Sequence, residues 1–290
     1  MDAPRTVLVA TVAVLLVAWG PAAGGEKPAP AARPPRVHMI SGSKEYKSAE
    51  SLPAFAAYLA RSCGIACTVS LADDGGKDIP DLDKLDGADV LLIFCRRNKA
   101  TGGDLEKIKA WFAAGKPAIG IRTASHAFQG FLEMDKQVFG GSYKGHGGGE
   151  TVDVKLDEKN AAHPILKGVE PWTREGKLYR NKDNATDTVT LLTGTGAKSK
   201  DVEPVAWARV YDKDKDGRCF YTSMGYVHDF GNANFARLLV NAIHWVAARP
   251  APKFEPPPPA AEGAPAPKKA PSAGGGARGH SRGAALVVPP

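Results

Sequence analysis

The chain has 290 residues, a formal net charge of +7, 43% hydrophobic residues and only four cysteines. Part of the basic excess (Lys268, Lys269, Arg278, Arg282) sits in Pro/Ala/Gly-rich sequence near the C-terminus. No Lys/Arg block is interleaved with aromatics at a spacing that reads bases, so nucleic-acid binding is not expected.

Arg5 precedes a strongly apolar run, Val7 to Trp19, followed by Gly20, Ala22, Ala23 and Gly24. That is the layout of a secretory signal, and the run is shorter than the roughly 18 to 20 residues that cross a bilayer. Residues 1–24 are therefore expected to be a signal peptide and 25–35 a linker, with the mature protein periplasmic or secreted and no membrane span after signal removal. Residues 250–290 carry almost no aromatic side chain; a Pro/Ala/Gly-rich segment of this kind does not bury enough apolar surface to offset ordering entropy, and is expected to be disordered. Residues 36–249 remain, about two hundred, enough for one large core.

Arg36 to Ile40 reads as a strand ending at Ser41-Gly42-Ser43, after which Leu52, Phe55, Ala56 and Leu59 recur at helical spacing. Cys67 to Leu71 is a second strand, followed by the turn residues Asp73-Asp74-Gly75-Gly76. Asp89 to Phe94 is nearly all apolar, as in a strand buried on both faces of a parallel sheet. Leu105, Ile108, Trp111 and Phe112 share one helical face, closed by Gly115-Lys116-Pro117 and followed by a short buried strand, Ala118 to Ile121. This alternation predicts an α/β fold: a doubly wound, mostly parallel sheet with helices on both faces. Its ligands would bind beyond the carboxyl ends of the strands. Thr151 to Leu156, Val189 to Leu192, Val205 to Val210 and Cys219 to Thr222 read as added strands, some antiparallel, and Asn234 to Ala247 as a closing helix.

Cys95 and Cys219 lie in apolar strands and read as buried thiols, whereas pairing of Cys63 with Cys67 is left open. Asp212 to Gly217 spells the start of a calcium loop, but Ser223 stands where the bidentate glutamate belongs, so a solvated hairpin is expected.

The chemistry is expected where the strand ending at Ile121 runs into Arg122-Thr123-Ala124-Ser125-His126. Arg122 offers a permanent fork of donors for a carboxylate, a phosphate or paired hydroxyls. His126, His146, His163 and His228 are candidate proton carriers or ligands, although their spacing matches no compact zinc motif. A mixed N and O metal site requires three of them to converge with Glu45; the cofactor is thus unknown, with a divalent metal left open. His38 and His244 read as packed. The first loop offers Ser43, Glu45 and Tyr46, hydrogen-bonding groups with a flat ring that suit a sugar.

Several ordered blocks resemble one family. They are Gly115-Lys116-Pro117, Ala124-Ser125-His126-Ala127-Phe128, Phe139-Gly140-Gly141-Ser142-Tyr143 with Gly145-His146, His163-Pro164-Ile165-Leu166, Phe220-Tyr221-Thr222-Ser223 with Gly225, and Asn241-Ala242-Ile243-His244-Trp245. Together they resemble the ThuA-like proteins, within the wider class I glutamine-amidotransferase-like, flavodoxin-like fold. In the amidotransferases of that fold the strand-to-helix turn carries a nucleophilic cysteine. Arg122 stands there instead and supplies no thiolate, so amidotransferase activity is not expected. The family often has histidine at this point, an acidic pair before the tyrosine of Gly176-Lys177-Leu178-Tyr179, and Gly-His where this chain has Gly225-Tyr226; the chain departs at all three.

The resemblance implies a role in trehalose or keto-sugar utilisation. Under it, the protein is a hydrolase- or lyase-like enzyme with His126 and His146 as acid and base. Ser43, Glu45, Tyr46, Arg122, Ser125, Tyr143, His163, Tyr179 and His228 would hold a small carbohydrate. A non-catalytic sugar-binding or assembly module is the alternative, and homo-oligomerisation is left open.

Overall fold

Val37–Gly42 (β1) and Val90–Cys95 (β3) are buried at every position, because apolar material covers them on both sides. Along β3 the side chains alternate: Val90, Leu92 and Phe94 enter one core, while Leu91, Ile93 and Cys95 enter a second on the opposite face. The first core is closed by Ser48–Cys63 (α1) and Ala233–Val246 (α3), and the second by Gly102–Ala113 (α2). Each large side chain so buried contributes about 1.5–3 kcal/mol, which is why two covered faces hold a sheet this wide.

The computed structural model describes residues 33–250, 253–257 and 286–288, all within one unit, Arg33–Pro290. The remaining strands are Cys67–Leu71 (β2), Ala118–Ile121 (β4), His146–Leu156 (β5), Trp172–Tyr179 (β6), Val189–Gly196 (β7), Val202–Asp212 (β8), Gly217–Thr222 (β9) and Leu286–Val288 (β10). They form one sheet in the order β10-β2-β1-β3-β4-β9-β8-β7-β5-β6.

The fold is α/β, as expected, but the sheet is mixed rather than mostly parallel. The neighbours β2-β1-β3-β4-β9 run parallel, and the other five pairs are antiparallel. Connection length explains the difference. β8 and β9 are joined by the tight turn at 213–216, with Lys215 donating to Asp212, and a turn that short leaves room only for antiparallel return. β6 has no sequence signal as a strand, because Arg174, Glu175, Gly176 and Lys177 interrupt its apolar pattern; pairing with β5 at the sheet edge makes it one.

At its exit β4 is crowded. A Cβ on Gly120 would lie 2.8 Å from ring carbons of both Phe139 and Tyr221. Only glycine lets the two rings close over the strand that delivers Arg122.

All four cysteines are free thiols, Cys63 half-buried and the others buried. Among the described residues no helix is long and apolar enough to cross a membrane. The expected signal peptide, and most of the linker and tail, lie outside the described residues. Within the described part of the tail, Phe254 lies 4.0 Å from the Arg237 guanidinium and the Tyr58 hydroxyl donates to the Glu255 carbonyl at 2.6 Å.

Candidate functional site

Arg122 is the first residue beyond β4 and opens a short 3-10 turn, Arg122–His126. Its φ is +47°, a left-handed conformation that costs a non-glycine residue about 1 kcal/mol or more. The surroundings hold it there: its carbonyl accepts from the Tyr221 hydroxyl at 2.5 Å and from Ser125 Oγ at 3.4 Å.

The Arg122 side chain is fully buried. Its guanidinium carbon lies 4.2 Å from the Tyr46 ring centre, 4.3 Å from that of Tyr179 and 4.5 Å from that of Tyr226. Nη1 donates to the Ser223 carbonyl at 2.5 Å, and Nη2 lies within 3.3–3.5 Å of the hydroxyls of Tyr46 and Tyr226 and the Lys177 carbonyl. Among the described residues no carboxylate pairs with it. Burial opposes its charge, and the three tyrosines around it favour the charged form. The expected grip on a ligand is not what the geometry shows: both terminal nitrogens of the fork face internal acceptors and π faces, only the buried Nε lacks a partner among the described residues, and Arg122 is a caged cation beneath the site rather than a hand reaching into it.

Above the cage the rings continue outward. Tyr179 lies 4.4 Å from Tyr143, and Tyr143 stacks on His126 with ring centres 5.0 Å apart and planes inclined by 19°. His146 pairs with Tyr179 across the β5–β6 ladder, its exposed ring 6.2 Å away. Loops after β1, β4 and Phe139, with the start of β5 and the end of β6, thus bring Tyr46, Arg122, Ser125, His126, Tyr143, His146 and Tyr179 together at one edge of the sheet. Glu45 stands on the same rim, accepting from the Tyr46 hydroxyl at 3.0 Å and lying 3.7 Å from Arg96, which in turn binds Asp74 at 3.2 Å.

His126 Nδ1 lies 2.9 Å from Ser125 Oγ. Burial, then the charges of Arg97 and Arg96, lower its pKa to about 4, against the smaller upward pull of Asp74 and Glu45. The ring is therefore neutral at neutral pH and able to accept a proton.

Three expected residues are placed elsewhere. His163 is on another part of the molecule, tilted over Trp245 with ring centres 5.1 Å apart, and its Nδ1 accepts from the Ile165 N–H, capping a short turn. It is a capping residue and not part of the site. His228 is exposed, stacked on the outer side of Tyr226 at 5.4 Å, with Nε2 3.0 Å from the Glu175 carbonyl. Ser43 is buried, its backbone N–H donating to Ser48 Oγ at 2.8 Å, and it lines a neighbouring shallow cavity of about 230 Å³ with Lys44 and Asp74. His38 is in the core between Thr68 and Ser70, as its apolar setting implied.

Sequence reasoning missed several members. Asp135, on a π-helical turn, is buried under Tyr143, whose N–H donates to Oδ2 at 3.4 Å, while Oδ1 has no partner among the described residues. Burial pushes its pKa up to about 7. Arg174 and Asp229 form a buried bidentate pair with both bonds at 2.8 Å, and Asp229 Oδ2 also accepts from the N–H groups of Gly225 and Tyr226. This pair fixes Tyr226, whose ring lies between the Arg122 and Arg174 guanidinium groups. No local pattern marks it, since Arg174 and Asp229 meet only when β6 packs against the turn after β9.

The convergence of three histidines with Glu45 does not occur. Among the described residues no group of three His, Cys, Asp or Glu side chains is placed to hold a metal ion.

Fold and site together define an α/β protein with an aromatic-lined site beyond the carboxyl ends of β1, β3 and β4. Residues 36–246 match the family model ThuA, described as trehalose utilisation, and the chain belongs to the ThuA family. The fold is similar to that of a ThuA-like protein from Bacteroides uniformis, at 20% identity and a TM-score of 0.56, over 76% of this chain and 95% of that one. A ThuA-like protein from Parabacteroides merdae is similar at 17% identity and a TM-score of 0.59, over 76% of this chain and 93% of the other. No curated protein gives a significant match.

Proposed function

We propose that the protein is exported and takes up a small carbohydrate, of the trehalose or keto-sugar kind, against the half-buried rings of His126 and Tyr143, which Tyr179 backs from beneath, with His126 as proton acceptor. The observation that carries this reading is the stack of Tyr143 on His126, continued inward by the tilted ring of Tyr179, which ends in a neutral imidazole at the rim. A sugar presents apolar C–H faces to flat rings and hydroxyls to polar groups at their border. The rim supplies those groups in Glu45, Asp74 and Arg96. Family membership supports the substrate class, and the order β2-β1-β3-β4-β9 supports a doubly wound, flavodoxin-like parallel half.

A proton taken from a sugar hydroxyl or from the carbon beside a keto group would pass to His126, which burial keeps neutral and so open to accept it, at the cost of a basicity below that of a general base matched to neutral pH. Ser125 orients the ring through Nδ1. His146, exposed beside Tyr179, serves as the second acid/base group. The reaction class is a hydrolase- or lyase-like one.

Thermal shift of the purified mature chain against disaccharides and their keto derivatives, followed by product analysis, tests this. A stabilising sugar that is turned over, with turnover lost in His126→Gln, is expected. No shift across the panel overturns the reading. The second reading, a sugar-binding module without catalysis, is favoured by Arg122 filling the position of the missing nucleophile; a shift without product selects it.

A further inference from the structure

We propose that a second site, at the carboxyl end of α3 on the opposite edge of the sheet, binds a small oxyanion, either a phosphate or an organic carboxylate. It is a cavity of about 390 Å³ lined by Arg218, Asn241, His244, Trp245, Arg249 and Pro250, among others. Arg218 stands at the amino end of β9, whereas the ring-lined site lies past its carboxyl end. Six residues at about 3.3 Å each separate the two by roughly 15 Å or more.

Three buried polar atoms around the cavity are unmatched among the described residues. His244 is 5% exposed, yet neither of its ring nitrogens has a hydrogen-bond partner among the described residues. The Nε–H of Arg249 is also buried without a partner. A buried donor or acceptor left unpaired costs about 1–3 kcal/mol, and native proteins rarely leave three around one cavity. Burial lowers the His244 pKa, the nearby Pro250 carbonyl pulls it up without completing a hydrogen bond to the ring, and the Arg249 charge lowers it again, so the ring is neutral and offers one donor and one acceptor.

Charge selects the ligand. Arg218 is matched by Asp216, with Nε donating to Oδ1 at 2.9 Å. Arg249 has no carboxylate partner among the described residues, and its Nη1 donates only to the Arg33 carbonyl at 2.9 Å. No carboxylate lines the cavity. The uncompensated charge is thus positive, beside a donor from Arg249 and another from the His244 ring. Asn241 is held by its Nδ2, which donates to the Ile165 and Lys167 carbonyls at 2.9 and 3.0 Å. Its Oδ1, with the second imidazole nitrogen, is left to accept from a hydroxyl, such as that of hydrogen phosphate or a hydroxy acid. A neutral apolar ligand would leave all of these groups unmatched.

The test is an NMR titration of the isotope-labelled full-length chain, following the His244 and His126 ring resonances. Inorganic phosphate, acetate and chloride are added in separate arms at constant ionic strength. The expected result is a saturable shift of His244 with phosphate, acetate or both, none with chloride, and no shift of His126. The oxyanion that saturates identifies the class. In Arg249→Gln the affinity falls about tenfold or more, the loss of a charge-assisted hydrogen bond. The proposal is overturned if neither oxyanion shifts His244 saturably, or if Arg249→Gln binds as tightly as the natural chain. Should that variant fail to fold, the titration of the natural chain decides alone.

Discussion

The Arg122 guanidinium lies 4.3 Å from the Tyr179 ring centre, and the same ring lies 4.4 Å from Tyr143. One tyrosine therefore joins a buried cation to the outward stacking surface. The cation polarises the ring series from below, and the surface rings exclude water from the cation.

Arg122→Met keeps most of the side-chain volume and removes the charge. It leaves the Ser223 and Lys177 carbonyls without their donor and ends three cation–π contacts. A loss of about 2–4 kcal/mol is expected, from unmatched buried acceptors and cation–π terms of up to ~2 kcal/mol each when desolvated. Urea denaturation measures it; a variant as stable as the natural chain would show that the cage is not a stabilising device.

Asp229→Asn breaks the buried pair with Arg174 and strands a cation 3% exposed. About 3–5 kcal/mol should be lost. Lys107→Ala, which removes the more exposed contact with Asp86, should cost under about 1 kcal/mol. Paired denaturation curves check the contrast, and equal effects would contradict the burial argument.

Tyr143→Ala removes the ring between His126 and the buried Tyr179 while leaving Arg122 under Tyr179. Any sugar that stabilises the natural chain should bind it more weakly by about 1–2 kcal/mol, roughly tenfold in Kd, on the scale of an aromatic contact. Calorimetric titration decides, and undiminished affinity would place the sugar elsewhere.

Two kinds of buried group give the stability opposite pH slopes. His38 and His126 are lowered from 6.5 to about 4, mainly by burial. The unfolded chain thus binds their protons more readily, and their contribution is full above pH 6.5 and lost as pH falls through 4. Asp135 is raised from 3.8 to about 7, so its contribution is full below 3.8 and lost as pH rises through 7. Asp135→Asn keeps the shape and removes the second slope. Relative to the natural chain the variant should gain stability steadily from pH 4 to pH 7. A difference constant across that range would mean that Asp135 titrates normally.

Local patterns were enough to read the parallel half. The apolar runs of β1, β3 and β4 and the helical spacing in α1 and α2 depend on neighbours within a few residues, and a strand end followed by small polar residues places Glu45, Tyr46, Arg122 and His126 on one edge. The ordered motif blocks carried the family. What Arg122 does was decided only by tertiary structure, because a guanidinium grips a ligand when its cleft is open and becomes an internal cation when rings close over it. Those rings, Tyr46, Tyr179 and Tyr226, come from three distant stretches of chain. The same holds for the Arg174–Asp229 pair and for His163 over Trp245. Burial and partnership belong to long-range packing, and no window of sequence contains both partners.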